Sequence, residues 1–219
     1  MKKTILLVVI LFVVGLSKSF SQLVSSTKTA FDLSAAKIVV DENDLALVKK
    51  SAELLQQDIE AVIGKKIPIV SKLSGTNNII IGTKEKSKGV QQFIASKQIS
   101  LPNQWEAYSI KSTGNQLIIA GNDRRGVAYG VFELSKQIGV SPWYWWADVP
   151  VESKKNIYIK PGITLTDAPK VKYRGIFIND EAPALSNWSR EKFGGFNHNF
   201  YEKVFELILR LKGNYLWPA

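Results

Sequence analysis

Gln116-Leu117-Ile118-Ile119-Ala120-Gly121-Asn122-Asp123 carries the plainest structural signal in the chain. An apolar strand-like run stops at a glycine, and two helix-capping residue types follow at once. Val127, Val131, Leu134 and Ile138 then recur at three- and four-residue spacing. They predict a helix opened by Asn122 or Asp123 and ended by Gly139. Just upstream, Glu106 to Lys111 reads as a partner strand, with Gly114-Asn115 as the hairpin turn.

Toward the N-terminus, Lys37 to Val40 is a strand and Asn43 to Ile63 an amphipathic helix, with Leu45, Val48, Ala52, Leu55, Ile59 and Val62 on its stripe and Gly64 as its stop. Ile67 to Val70 and Asn78 to Gly82 are short strands, and residues 86–97 a weaker helix. This order predicts an α/β sandwich with a mixed sheet, its helices packed on one face. Toward the C-terminus, residues 140–169 read as a connector that opens on Trp143-Tyr144-Trp145-Trp146 and holds a short strand, Ile157 to Ile159. A new unit follows: a strand from Tyr173 to Ile178, a loop from Asn179 to Asn197, a helix from Phe200 to Leu211, and another strand from Asn214. That is the first β/α unit of a TIM-like barrel, which needs about 250 residues when complete. The expected division is 1–21, 22–169 and 170–219, the last an incomplete barrel.

The chain has 219 residues, a formal charge of +10, one histidine and no cysteine. Disulfide scaffolds, thiolate zinc sites and thiol catalysis are excluded. The charge alone would suggest an anionic partner such as nucleic acid. Residues 1–21 change that reading. Lys2-Lys3, the apolar run Thr4 to Leu16 and the small residues near Ser21 form a secretory signal, too short to span a membrane. Removing them takes away three lysines and no acid, leaving +7. The expectation is a periplasmic or secreted protein with no nucleic-acid partner and no stable membrane anchor.

Asn179-Asp180-Glu181 follows the 173–178 strand, at the end where barrel enzymes gather their active-site loops. A carboxylate there serves as general acid or base, or caps its own loop. His198 stands at a helix start, as a base or as a polar N-terminal residue. Trp143 to Trp146 can stack on sugars or pack between domains, and packing is preferred because four adjacent rings cannot face one ligand. Trp188 and Trp217 are separate aromatic candidates. Glu133 lies off the apolar stripe of its helix, free to reach across an interface. Gly121 and Gly126 match no phosphate-loop pattern.

Gly121 to Gly130, Ile138 to Pro150, Arg174 to Pro183, Lys192 to His198 and Leu211 to Ala219 together resemble glycoside hydrolase family 115, the xylan α-1,2-glucuronidases. The resemblance is strong over 121–219 and covers only the order of elements over 22–120. It implies inverting removal of glucuronic acid or its 4-O-methyl ether from glucuronoxylan, with no cofactor or metal and with a homodimeric parent enzyme. Inversion uses two carboxyl groups roughly 6.5–9.5 Å apart. By the resemblance Asp180 is catalytic, Asn179 binds substrate, and Glu133 is a pocket residue contributed by the N-terminal domain. It also implies that the 219-residue piece is inactive alone. The alternatives are a family 67 glucuronidase, a hexosaminidase-like enzyme, or a non-catalytic carbohydrate-binding module. Residues 22–169 alone are expected to fold better than 22–219, because the unfinished barrel exposes strand edges.

Overall fold

The computed structural model describes residues 22–179 and 181–218; the expected export signal and Asp180 lie outside them. The elements, in chain order, are β1 (Val24–Ser25), β2 (Phe31–Asp32), β3 (Lys37–Val40), α1 (Ala46–Ile63), β4 (Ile69–Val70), β5 (Asn78–Thr83), α2 (Lys88–Ala95), β6 (Tyr108–Ser112), β7 (Gln116–Gly121) and α3 (Arg124–Ile138). Then come β8 (Tyr158–Ile159), β9 (Thr164–Asp167), β10 (Gly175–Ile178), α4 (Ala184–Phe193), α5 (His198–Arg210) and β11 (Tyr215–Pro218). No helix among the described residues is long and apolar enough to cross a membrane.

The main sheet runs β4-β3-β5-β7-β6-β9. β4, β3, β5 and β7 are parallel, and β6 is antiparallel to both β7 and β9, so the sheet is mixed as expected. Register explains its layers. Val39, Ile80 and Ile118 sit opposite one another across three strands. They pack with Val90 of α2. The neighbouring rows, Ile38-Ile79-Leu117 and Val40-Ile81-Ile119, point the other way and pack under α1 and α3. Strand side chains alternate faces, so a run such as Ile79-Ile80-Ile81 buries both. The helices therefore cover both faces, not one.

Helix ends follow local chemistry. The Asp123 carboxylate accepts from the Arg125 and Gly126 amides at 3.0 and 2.9 Å, and Gly139 closes α3 in the left-handed region, φ 117°. Gly126 is there for close packing: a Cβ would meet the Ala107 carbonyl oxygen at 2.4 Å. α1 begins at Ala46, later than its pattern suggests, because Asp44 is buried as an acceptor. It takes bonds from the Thr83 amide at 2.9 Å and the Thr83 hydroxyl at 3.0 Å.

The connector is more structured than its sequence suggests. β8 joins β1 and β2 in a small sheet, and β9 forms an edge of the main one. Beyond it, β10 and β11 pair in parallel, Gly175 opposite Tyr215. The segment read as a loop over 179–197 contains α4, whose Leu185, Trp188 and Phe193 pack toward Phe200 of α5.

Candidate functional site

The side chains of β10 alternate between two environments. Ile176 and Ile178, with Leu216 of β11, pack against Phe200, Val204 and Ile208. On the other face Phe177 and Trp217 stand exposed, their rings edge to face at 6.3 Å. Asn179 follows at the carboxyl end of β10 and is exposed. Its Oδ1 accepts from the Glu181 amide at 3.0 Å, a local turn that directs the chain off the strand.

The amino ends of the same two strands look different. Arg174 precedes β10, and Lys212 and Asn214 precede β11. All three reach into the first layer. Arg174 Nη2 donates to Glu106 Oε2 at 2.6 Å, Asn214 Nδ2 donates to Glu106 Oε1 at 3.0 Å, and Arg125 Nε pairs with the same carboxylate. Burial alone would raise the Glu106 carboxyl. Bonds from Asn214, Arg174 and Arg125 outweigh it and hold the group below the ordinary glutamate value. Lys212 Nζ pairs with Glu133 at 3.0 Å and Asp167 at 3.0 Å, and donates to the Tyr108 hydroxyl at 2.8 Å. A cavity of about 160 Å³ lies between these groups, walled by Tyr129 as well.

Glu133 therefore sits at the amino ends of the strands. Burial would raise its carboxyl, but the Gln137 bond and the Lys212 charge hold it below its ordinary value. β10 is four residues long, about 13 Å at the usual strand rise. Glu133 and Asn179 are tied to opposite ends of that pair, and the structure does not bring them together. The interface-spanning role open to Glu133 is the one its geometry displays.

In the aromatic run Trp143 is exposed, while Tyr144, Trp145 and Trp146 pack. Trp146 lies 5.7 Å from Trp188 and 6.1 Å from Phe200 by ring centroids, and its indole N–H donates to the Lys203 carbonyl at 3.2 Å. The Tyr144 hydroxyl donates to Glu206 at 2.9 Å. His198 is the first residue of α5, while Asn197 caps the helix through bonds from the Asn199 and Phe200 amides. His198 lines an outer groove between α1 and α5 with Tyr201 and Glu202. Among the described residues no group of three or more His, Asp or Glu could hold a metal ion.

Sequence reasoning missed the most buried ion cluster. Arg210 donates two bonds to Asp58, both 2.9 Å, and one to Glu206 at 2.8 Å. Its guanidinium lies against the Phe132 and Tyr144 rings at 4.6 and 4.8 Å. Burial pushes the Asp58 carboxyl up, and Arg210 counters only part of that. The signal was present: Asp58 sits between Leu55 and Ile59, on the apolar stripe of α1, where a lone charge demands a partner.

Solved structures of glycoside hydrolases share this fold. Product complexes of Streptomyces plicatus beta-hexosaminidase variants match at TM-score 0.57 and 14% identity, over 91% of this chain and 33% of theirs. A GH20 beta-N-acetylhexosaminidase from Streptomyces coelicolor A3(2) matches at 0.55 and 14%, over the same shares. These show the fold alone. A GH115 4-O-methyl-alpha-glucuronidase with specificity for decorated arabinogalactans matches at TM-score 0.75 and 37% identity, over 84% of this chain and 25% of that one. The chain thus spans about a quarter of the length of that glucuronidase. Residues 166–219 match the glycosyl hydrolase family 115 model, and residues 19–134 the glycosyl hydrolase family 67 N-terminus model. No curated protein matches the sequence. The chain belongs to glycosyl hydrolase family 115, with an N-terminal domain of the family 67 type.

Proposed function

We propose that this chain is the amino-terminal region of an exported enzyme that hydrolyses (4-O-methyl)glucuronic acid side chains from an acidic plant polysaccharide, with inversion. The reaction takes place at the carboxyl end of β10. Asp180 is one of the two carboxylates, and Asn179 shapes the turn at the strand end. One observation carries this reading: in a chain that matches family 115 over 166–219, the amino ends of β10 and β11 are closed by ion pairs while Asn179 stands exposed at the other end. Glycosidic bond cleavage needs a proton donor at the leaving oxygen and a base for water. Glu106 and Glu133, held ionised by Arg174 and Lys212, are poor proton donors to a leaving oxygen. The 219 residues alone are expected to show no turnover, since inversion requires a second carboxylate positioned across the sugar.

Glucuronoxylan is the first substrate to test. Decorated arabinogalactan is the second, favoured by the 37% identical relative. Release of the uronic acid from each polymer by the whole enzyme, compared with its Asp180→Asn variant, tests the assignment. Release from neither polymer would refute the substrate class, and normal release by Asp180→Asn would refute the role of Asp180. Removal of residues 1–21 on export is checked by N-terminal sequencing of the secreted protein, and dimerisation of the whole enzyme by light scattering.

A further inference from the structure

Leu101 to Glu106 form a loop over the carboxyl ends of β5 and β7 that the glucuronidase reading leaves without a role. Three bonds pin it. The Asn122 amide group donates to the Pro102 and Gln104 carbonyls, both at 2.6 Å, and the Glu106 amide donates to Asp123 at 2.7 Å. Glu106 adopts the left-handed region, φ 54°, a costly conformation for a residue with a Cβ. Its effect is to send two neighbouring side chains in different directions. Glu106 goes inward, 1% exposed, onto Arg174 and Arg125, while Trp105 stays outside, 40% exposed. The Arg174 guanidinium lies 5.6 Å from the Trp105 ring centre, so the indole is held in place before any ligand arrives.

Trp105 borders a crevice of about 450 Å³ lined by Lys84, Asn103, Gln104, Asn122 and Asp123. The Lys84 ammonium and the Asn103 amide make no hydrogen bond or ion pair among the described residues. Lys84 directly follows β5 and Asn122 directly follows β7, and ligands of α/β sheets lie outside the carboxyl ends of parallel strands. The neighbouring crevice between β3 and β5 is closed by Asp44 on Thr83. A rigid, open indole above unpaired amide and ammonium donors is the chemistry that takes a sugar ring: its C–H face on the aromatic, its hydroxyls on the amide, its carboxylate, if present, on the lysine.

We propose that the Trp105 crevice is a second carbohydrate-binding site, holding a pyranose unit of the polysaccharide at a distance from the reacting bond. Arg174 precedes β10, so this crevice belongs to the amino-end side of the strands, opposite Asn179. The proposal rests on the polysaccharide reading of the active site, and the test separates the two.

The experiment is affinity electrophoresis of the 219-residue chain through gels containing glucuronoxylan or decorated arabinogalactan. Trp105→Ala leaves the net charge unchanged, so any retardation due only to the basic surface survives it. The expected result is retardation of the parent chain in at least one polymer and a loss of affinity of about tenfold in Trp105→Ala. Asn103→Ala, charge-neutral and at an exposed side chain, should lose several-fold with an unchanged unfolding temperature. This variant keeps the test open should Trp105→Ala fail to fold. Asp180→Ala should be retarded like the parent. Retardation equal to the parent in both crevice variants overturns the proposal, as does no retardation of the parent in either gel. Loss of retardation only in Asp180→Ala also overturns it, while leaving the glucuronidase reading standing.

Discussion

The two ends of the β10–β11 pair hold polar residues in opposite states. At the amino ends, Arg174, Lys212 and Asn214 are tied to Glu106, Glu133 and Asp167, and each of those acids has its charge compensated. At the carboxyl end Asn179 is exposed, and among the described residues its side chain bonds only its own turn. The lesson concerns how to read an acid. Glu106, Glu133 and Asp58 are buried and paired, so they fix one layer against another. A glycosidase acid must hold a proton for the leaving oxygen, which a carboxyl kept ionised by a neighbouring cation does poorly.

If the amino-end contacts hold the layers together, removing them should destabilise the chain in proportion to the buried charge left unpaired. The largest effect is expected from cutting the chain at residue 169. Residues 22–169 keep Asp58 and Glu106 but lose Arg210, Arg174 and Asn214. Asp58 without its arginine costs about 3–5 kcal/mol, and Glu106, left with Arg125 alone, adds to that, a loss comparable to much of the stability of a small domain. Urea unfolding of 22–169 against 22–219 measures this, and the shorter piece should unfold first. The exposed strands of the β/α unit suggest the reverse order from sequence, but the buried pairs that cross the junction outweigh that exposure.

Arg210→Ala is next, at about 3–5 kcal/mol, because it strands the buried Asp58 and leaves Glu206 to Lys203 and Tyr144. Glu106→Gln should cost about 2 kcal/mol through weakened bonds to its charged partners. Its pH signature is more specific. Glu106 and Glu133 both have carboxyls held below the ordinary 4.5 in the folded chain. A depressed acid contributes stability above its unfolded value and loses it as pH falls through the folded one. The urea midpoint should therefore drop as pH falls below about 4.5, and Glu106→Gln should flatten part of that drop. The smallest effect is expected on the open face: Phe177→Ser, at an exposed ring, should change stability by no more than about 0.5 kcal/mol.

Much of the fold was legible because its signals are local. The hairpin at Gly114-Asn115, the Asp123 cap, the Gly139 stop and the parallel strands around α5 need only neighbouring residues. The position of α2 was not, since the face a helix covers depends on register across three strands. β9 hid because Thr164-Leu165-Thr166-Asp167 is a polar edge strand, and α4 because its few apolar residues answer to Trp146 of the connector as well as to Phe200 of the next helix. The Arg210–Asp58 pair spans 152 residues, beyond any pattern of spacing. At the site, Asn179 at the strand end followed from topology. The partner of Glu133 did not, because Lys212 lies on a turn whose path only the packing defines.

The central claim is that the chemistry sits at the carboxyl end of these strands and the structural acids at the other. The most direct measurement is uronic acid release by the whole enzyme carrying either Asp180→Asn or Glu133→Gln. The account predicts a fall of about a hundredfold or more in turnover for Asp180→Asn with unchanged stability. It predicts near-normal turnover for Glu133→Gln with a lowered unfolding temperature. Near-normal turnover in Asp180→Asn, together with a collapse in a stably folded Glu133→Gln, would contradict it.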